Sequence, residues 1–252
     1  MIDIHSHLLP GVDDGSPSVE VSVPVLERFG AEGVKLLVCT PHLRASEAHT
    51  MSPDIYDDIF EQLVAAAPPR PELALGWEIM LDGPGFDLKS SHLHLANSTA
   101  VLVEFPRHGI PRGATEELAR LTREGMVPIV AHPERYYGCT PAVVREWRSV
   151  GAAIQMDAAM LVGRGPIASL AREIIGEGLA DCVASDNHGD RRSLGAAAQW
   201  LRELGAEDHA RLLTEVNPGR LLAGERPLPV PHISSLERGA FARLRELIFG
   251  RK

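Results

Sequence analysis

The chain opens with M-I-D-I-H-S-H-L-L-P-G-V-D-D-G at residues 1–15. Its two isoleucines alternate with polar neighbours, which predicts a short strand. His5 and His7 stand two residues apart near the end of this strand, a spacing that points both imidazoles to one face. Asp13 and Asp14 follow after a few residues. Two imidazoles on one face, followed by carboxylates, predict the beginning of a metal site.

Apolar runs recur at fairly regular intervals after this first strand. We predict seven strands, at residues 1–5, 34–40, 73–78, 100–105, 127–131, 152–156 and 180–185. Helical patterns lie between them, at residues 18–32, 54–67, 115–124, from 140 onward and at 166–177. Short apolar strands that alternate with helices are typical of buried parallel strands in an α/β protein. The repeated βα units predict a barrel of the (β/α)7 kind, and a doubly wound open sheet is the second interpretation.

The whole chain, residues 1–252, is predicted to form one domain. We expect the barrel over about residues 1–190 and a C-terminal helical part over about 191–252. That part contains patterns for two or three helices and a proline-rich link at residues 226–231.

The composition narrows the possible partners and the location. The net charge of −9 argues against a nucleic-acid partner. We find no apolar run long enough to span a membrane and no secretory signal pattern, so membrane insertion is not expected. Three cysteines do not form a disulfide framework, and we therefore expect a reduced, cytoplasmic protein.

Every predicted strand ends in, or runs directly into, a side chain that can bind a metal. These residues are His5, His7, His42, Glu78, Glu104, His132, Asp157, Asp186 and His188. The chemistry of a (β/α) barrel lies at the carboxyl ends of its strands, and buried groups of this kind are costly unless they are paired or bound to metal. Imidazoles and carboxylates without thiolates favour Mn²⁺, Fe or Zn²⁺ in a hydrolytic cluster. This many donors suits two or three ions, with phosphoester hydrolysis by a bound hydroxide as the expected chemistry.

A phosphate also needs a cation that the metals do not use. Arg135 follows His132 by three residues, and Arg191 and Arg192 follow His188 by three and four. The planar fork of an arginine suits phosphate oxygens. We therefore take these three arginines as candidate phosphate-binding residues.

Seven motifs give the chain a family resemblance over nearly its whole length. They are D-I-H-S-H-L-L-P-G-V-D-D-G at residues 3–15, C-T-P-H at 39–42, G-W-E-I at 76–79, L-V-E-F at 102–105, A-H-P-E-R-Y at 131–136, S-D-N-H at 185–188 and N-P-G-R-L-L-A-G-E at 217–225. The chain resembles the PHP (polymerase and histidinol phosphatase) superfamily, and more closely its CpsB/CapC type of bacterial tyrosine-protein phosphatase. The resemblance implies a metal-dependent phosphoric monoester hydrolase that acts in capsule or exopolysaccharide regulation.

The resemblance also implies a distorted (β/α)7 barrel with a trinuclear site that is usually active with Mn²⁺. Its implied ligand sets are His5, His7, Glu78 and Asp186; then Glu78, Glu104 and His132; then Asp14, His42 and His188. Asp13 is the alternative to Asp14. Arg135 matches the phosphate-binding arginine of the family, and either Arg191 or Arg192 matches the second.

Implied partners are a tyrosine-phosphorylated protein, such as a bacterial tyrosine kinase, and further copies of the chain. The apolar run at residues 19–26 is a candidate contact between copies, although it can equally pack on the barrel. Two features depart from the family pattern and lie near the predicted site. The stretch after His42 is short, and Trp77 replaces a small residue.

Two other functions remain open. One is a phosphatase of a small phosphomonoester such as histidinol phosphate, and the other is a non-catalytic regulator that uses the fold as a binding platform. A thiol phosphatase is disfavoured, although Cys139 and Arg145 have the C-x5-R spacing. The residues between them include no glycine, which a phosphate-cradling loop requires.

Overall fold

The structure is a computed structural model, and it describes residues 1–233. It contains nine strands in those residues. They are β1 (Ile2–Ser6), β2 (Leu36–Cys39), β3 (His42–Arg44), β4 (Glu72–Leu75), β5 (Glu78–Met80), β6 (Ala100–Glu104), β7 (Val127–Ala131), β8 (Ala153–Asp157) and β9 (Cys182–Ala184). All of their pairings are parallel, which confirms the predicted α/β fold with parallel strands.

The strands form two sheets. One has the order β1-β2-β4 and the other the order β3-β5-β6-β7-β8-β9. A single parallel bridge between Ser6 and Asn187 connects β1 to the segment after β9. On either side of it, the His7 N–H donates to the Asn187 carbonyl at 2.7 Å, and the Asp186 N–H donates to the His5 carbonyl at 3.0 Å. The first residues of the chain therefore lie beside the S-D-N-H segment.

Two of the nine strands, β3 and β5, extend beyond the predicted strands. The strand predicted at residues 34–40 is β2, and β3 is an unpredicted strand that begins after Pro41, where proline has no N–H to donate to the ladder. The strand predicted at residues 73–78 is interrupted at Gly76 and Trp77. A Cβ on Gly76 would lie 2.7 Å from a side-chain carbon of Leu95, so only glycine allows this close approach. The unpredicted β3 and the break at Gly76 explain why seven predicted strands become nine.

Helices follow most strands. The α-helices of residues 1–233 are α1 (Val19–Ala31), α2 (Pro53–Ala66), α3 (Ala114–Arg123), α4 (Pro141–Ser149), α5 (Ala158–Val162), α6 (Pro166–Gly176), α7 (Leu194–Glu203), α8 (Glu207–Arg211) and α9 (Asn217–Leu222). Thr140 accepts a hydrogen bond from the Val143 N–H and so caps α4. No helix within residues 1–233 has the length and apolar character that crossing a membrane requires.

Helices α7, α8 and α9 lie from Leu194 onward, and the proline-rich link at residues 226–231 follows them. Asn217 fixes this link, because its side-chain amide exchanges two hydrogen bonds with the backbone of Leu228, at 3.0 and 2.8 Å. The end of the predicted helical part, residues 234–252, lies outside the described residues.

One face of the strands is apolar along most of its length and polar at the carboxyl end. Leu102, Ala131 and Ala184 belong to a central cluster of buried apolar side chains. Glu104 stands two residues after Leu102 on β6, so its side chain continues the same face of that strand beyond the apolar cluster. His132 follows the end of β7, and Asp186 lies two residues beyond the end of β9. The fold thus places a set of charged groups directly on top of an apolar core.

Candidate metal centre

The structure brings together, at the carboxyl ends of the strands, all nine ligands that the family resemblance implies. Their donor atoms form four overlapping groups, each with all atoms within 4.8 Å of one another. The groups are His5, His7 and Asp186; His5, Glu78 and His132; His42, Glu78 and Glu104; and His7, Asp14, His42 and His188. Predicted Asp157 lies outside these groups. The resemblance pairs Glu104 with His132, whereas the geometry places Glu104 beside His42 and His132 beside His5.

His5 and His7 face each other across a short gap. Their Nε2 atoms are 3.1 Å apart, and both side chains are fully buried. The Oδ1 atom of Asp186 lies 3.3 Å from Nε2 of His5 and 3.2 Å from Nε2 of His7. Two imidazole nitrogens this close need a shared proton or cation, because two lone pairs repel each other.

Glu78 lies at the middle of the cluster and is buried. Its Oε1 atom is 2.7 Å from Nε2 of His132, and its Oε2 atom is 2.9 Å from Nδ1 of His42. Burial raises the pKa of this carboxyl group, but His5, His132 and His42 outweigh it and hold the pKa well below its usual range. Glu78 is therefore an anion that serves two groups of donors at once.

The pKa values of two imidazoles shift in the opposite direction, upward. Burial lowers the pKa of His42, but Glu104 and Glu78 outweigh it and raise the pKa to about 10. Burial also lowers the pKa of His7, while Asp13 and Asp186 raise it well above its usual value. In the metal-free protein, protons therefore neutralise carboxylates that a bound cation would neutralise instead.

The donor set fits a group of divalent cations. It consists of imidazoles and carboxylates without a thiolate, as sites for Mn²⁺, Fe or Zn²⁺ in hydrolytic centres often do. Within residues 1–233, His132 Nδ1 is buried and has no hydrogen-bond partner. A buried polar atom without a partner is unusual, and in a candidate ligand residue it fits a site for a cation.

The two neighbouring aspartates have different positions. Asp13 Oδ2 accepts hydrogen bonds from Nδ1 of His7 at 2.7 Å and from the backbone N–H of His42 at 3.2 Å. Asp14 Oδ1 instead lies 3.3 Å from Nε2 of His42 and 3.5 Å from Nε2 of His188. Asp14 thus belongs to the donor cluster, while Asp13 lies behind it and orients the ring of His7.

Backbone strain also occurs in the cluster. His132 has a φ of 33° and Asp186 a φ of 47°, both in the left-handed region. Such values are uncommon outside glycine and cost about 1–3 kcal/mol each. The surrounding hydrogen bonds must hold these two residues in place, as is typical of functional sites.

The three predicted arginines are not equivalent. Arg135 is largely buried and pairs with Asp157 and with Asp186, whose Oδ2 lies 2.5 Å from its guanidinium. Arg192 donates to the same Oδ2 at 3.1 Å. Arg191 is exposed. Arg135 and Arg192 therefore reach the edge of the donor cluster, and Asp157 is the buried carboxylate that positions Arg135.

Sequence reasoning missed Gln155, which lies on β8 and is fully buried. Its Oε1 atom lies 3.0 Å from Nδ1 of His5, so it fixes the orientation of that ring. A neutral amide gives no charge signal in the sequence. The alternation of polar and apolar residues in β8 offered a weak signal, because Gln155 stands two residues before Asp157 in an otherwise apolar strand.

Tyr136 was also missed as a part of the site. Its hydroxyl donates to the carbonyl of Ala131 at 2.6 Å and accepts from the N–H of Phe105 at 3.2 Å. These two backbone groups are next to His132 and Glu104, so the tyrosine fixes the ends of β6 and β7 relative to each other.

Other sequence candidates lie elsewhere. Cys139 is buried, and burial raises the pKa of its thiol to about 12, which disfavours the thiolate that a nucleophile needs. Arg145 pairs with Glu177 instead of forming a phosphate loop. Trp77, expected near the site, is buried in the core, where it packs against Tyr56 and donates to the carbonyl of His92.

The fold and the donor cluster together define an α/β protein with a candidate polynuclear metal centre at the carboxyl ends of its parallel strands. The profile of the family described as "Capsular polysaccharide synthesis, CpsB/CapC" matches residues 1–223. The chain belongs to this family.

Curated relatives carry consistent names. Tyrosine-protein phosphatase YwqE of Bacillus subtilis is 29% identical over 198 residues, which cover 75% of this chain and 77% of that protein. The putative tyrosine-protein phosphatase CapC of Staphylococcus aureus is 29% identical over 201 residues, covering 75% of this chain and 77% of that protein.

A solved structure matches nearly the whole chain. It comes from work on YwqE of Bacillus subtilis and CpsB of Streptococcus pneumoniae, which are described there as unique metal-dependent tyrosine phosphatases. The match has a TM-score of 0.74 at 25% identity, and it covers 92% of this chain and 100% of the other.

Proposed function

We propose that this protein is a metal-dependent protein-tyrosine phosphatase that acts in capsule or exopolysaccharide regulation. The observation that carries the proposal is the convergence of nine imidazole and carboxylate donors beside two arginines. The names of the relatives support phosphotyrosine over a small phosphomonoester such as histidinol phosphate. No candidate ligand is lost within the described residues, which disfavours a non-catalytic platform.

We assign Mn²⁺ as the metal, in two or three ions, with Fe or Zn²⁺ as alternatives. The nine metal ligands would be His5, His7, Asp14, His42, Glu78, Glu104, His132, Asp186 and His188. When bound, divalent ions lower the pKa of water and neutralise phosphate oxygens. Gln155 and Asp13 hold the rings of His5 and His7 in the orientation that such binding needs.

Arg135 and Arg192 are assigned to binding the phosphate group. Both guanidiniums contact the same oxygen of Asp186, and they approach it from the edge of the cluster. A phosphate placed there would exchange part of these ion pairs for hydrogen bonds to its own oxygens. Arg191 is the less favoured candidate because it is exposed and Arg192 reaches the cluster.

The remaining assignments follow from the family. We propose that residues 1–252 form a single domain and that the two sheets form a distorted (β/α)7 barrel. The bridge between Ser6 and Asn187 supports this. The N–H groups of Gly76 and Glu78 also donate to the carbonyls of Cys39 and Pro41, at 2.9 and 3.1 Å, which continues the pairing from β2 and β4 into β3 and β5. We also propose that this protein is cytoplasmic and that its substrate is a tyrosine-phosphorylated protein, such as a bacterial tyrosine kinase. Self-association through α1 is proposed from its half-buried valines.

The test is hydrolysis of a phosphotyrosine peptide and of histidinol phosphate by metal-stripped protein, before and after Mn²⁺ is added. We expect Mn²⁺ to restore activity on the phosphotyrosine peptide. The variant His42→Ala should lose that activity, because His42 belongs to two donor groups. Cys139→Ser is the matched control and should keep it, since the thiol is buried and protonated.

Three results would contradict the proposal in different ways. A preference for histidinol phosphate would overturn the substrate but keep the metal centre. Full activity in His42→Ala would overturn the metal centre. Absence of hydrolysis of any phosphoester by metal-loaded protein would favour the binding platform.

A further inference from the structure

A cavity of about 500 Å³ opens beside the candidate metal centre. Three of its lining residues, Asp14, His42 and Glu104, belong to the donor cluster. On the far side it is lined by Arg44 and by the loop after β6, which contains Arg107. We call this cavity the arginine cleft. One end of the cleft therefore borders the donor cluster, and the other end is lined by arginines that are exposed to solvent.

The strand register explains why Arg44 lies there. In the parallel ladder, Arg44 stands opposite Met80, and Met80 stands opposite Glu104. His42 and Glu78 form the neighbouring row, two residues back along β3 and β5. Side chains two residues apart share a face, so Arg44 and Met80 extend the ligand-bearing face by one step toward the mouth.

The cleft combines an apolar surface with free cationic groups. Met80 and Pro106 supply apolar lining that an aromatic ring can cover. Arg44 and Arg107 are exposed, and neither guanidinium has an ion-pair partner within residues 1–233. By contrast, Arg135 and Arg192 are both paired with carboxylates. The unpaired cations are thus the outer ones.

Two further residues line the outer end of the cleft. His108 lies beside Arg107 on the loop. Glu47 is an exposed carboxylate in the same lining, and it weakens the positive potential without pairing with either arginine. At this outer end two arginines outnumber one carboxylate, so in a chain whose net charge is −9 they can attract an anionic segment that the rest of the surface repels.

We propose that the arginine cleft selects substrates with an anionic residue beside the phosphotyrosine. The inference rests on the proposed phosphatase function and adds a substrate class to it. The phosphotyrosine ring lies along Met80 and Pro106 with its phosphate at the donor cluster. Arg44 and Arg107 then contact an anionic neighbour in the peptide, either a carboxylate or a second phosphotyrosine.

The experiment compares three phosphotyrosine peptides that differ only in the residues flanking the phosphotyrosine, which are glutamate, glutamine or a second phosphotyrosine. For each protein, the readout is the ratio of kcat/KM on an anionic peptide to kcat/KM on the glutamine peptide. This ratio cancels any change in folded fraction or metal content. The proteins are wild type, Arg44→Gln with Arg107→Gln, and the control Arg123→Gln, in the last turn of α3 at the opposite ends of the strands.

We expect a ratio of about fivefold in the wild type, the size of one or two exposed ion pairs. The ratio should fall to about one in the double variant and remain unchanged in Arg123→Gln. It should also shrink at high salt, because exposed charges are screened. A preference for glutamate peptides identifies carboxylates as the ligand, and one confined to the doubly phosphorylated peptide identifies phosphate.

Two results would overturn the proposal. Wild-type protein that hydrolyses all three peptides with equal kcat/KM would remove the selection and leave the phosphatase function intact. A double variant that keeps the wild-type ratio would show that other residues provide it. Absence of hydrolysis of every peptide would instead contradict the proposed function itself, and with it this inference.

Discussion

The two ends of β9 carry buried aspartates in contrasting surroundings. Asp181 precedes the strand and Asp186 follows it, and both side chains are about as buried as each other. Asp181 accepts a hydrogen bond from Arg148 at 2.9 Å and another from the backbone N–H of Ile154 at 2.9 Å. Burial outweighs these contacts and raises the pKa of Asp181 to about 6.

Asp186 experiences the same burial, which by itself raises the pKa of its carboxyl group. Here His5, His7 and Arg135 outweigh burial and hold the pKa far below its usual range. Arg192 contributes one more contact, at 3.1 Å. Two aspartates at the ends of one short strand thus differ in how many cationic groups surround them.

The comparison distinguishes a buried charged group that serves the fold, Asp181, from one that serves the candidate site, Asp186. One arginine and one backbone N–H suffice to bury Asp181 at the amino end of the strand. At the carboxyl end, imidazoles, carboxylates and arginines exceed what burying one aspartate requires, and two residues there adopt strained backbone conformations. Such an excess is expected where a protein must bind further charged groups.

The largest effect is expected from exchanging each aspartate for asparagine. Asp186→Asn removes a charge from the donor cluster and should lower phosphotyrosine hydrolysis by more than about 100-fold, the upper end of what losing even an outer partner of a ligand costs. Asp181→Asn is the matched control and should retain nearly full activity. Equal losses in the two variants, measured as kcat/KM per folded molecule, would remove the distinction between the two ends.

Replacing the arginines that pair with the two aspartates should show the same contrast, with a smaller effect on hydrolysis. Arg135→Gln removes a charged donor from the proposed phosphate site and should lower kcat/KM by about 10- to 100-fold, since a hydrogen bond to a charged group contributes about 1.5–3 kcal/mol. Arg148→Gln should leave kcat/KM of the folded protein unchanged. An intact kcat/KM in Arg135→Gln would exclude this arginine from phosphate binding.

The smallest effect concerns stability and pH. Folding raises the pKa of the Asp181 carboxyl group from 3.8 to about 6, so the protonated group favours the folded state. This contribution to the free energy of unfolding is fully present below pH 3.8 and is lost as the pH rises through 6. Asparagine does not titrate. The free energy of unfolding of wild type, relative to Asp181→Asn, should therefore fall by about 2 kcal/mol between pH 4 and pH 7. Urea titrations at the two pH values measure this difference, and a constant difference would contradict the assigned pKa.

Much of the fold and of the site could be predicted from sequence because both depend on short periodic patterns. The parallel strands are encoded in apolar runs, and the donor cluster in the polar residue that ends each run. The breaks at Pro41 and Gly76 were not predicted, since they depend on the missing N–H of proline and on the approach of Leu95. Family membership was predicted from the motifs and is confirmed by the match over residues 1–223.

Choices between neighbouring residues required the structure. Asp13 and Asp14 are chemically identical. Only the conformation of the turn between β1 and α1 places Asp13 against Nδ1 of His7, behind the donor cluster. The preference for Arg192 over Arg191 likewise depends on a loop, in which Arg192 donates to Asp190 at 2.8 Å while reaching Asp186. Local conformations of this kind leave no periodic signal in a sequence.

The most direct test of the metal centre is a titration of metal-stripped protein with Mn²⁺, with binding followed by calorimetry and phosphotyrosine hydrolysis measured at each point. We predict that more than one ion binds per chain and that activity returns in step with binding. Protein that binds no Mn²⁺, Fe or Zn²⁺, or that hydrolyses phosphotyrosine equally well without them, would contradict the account.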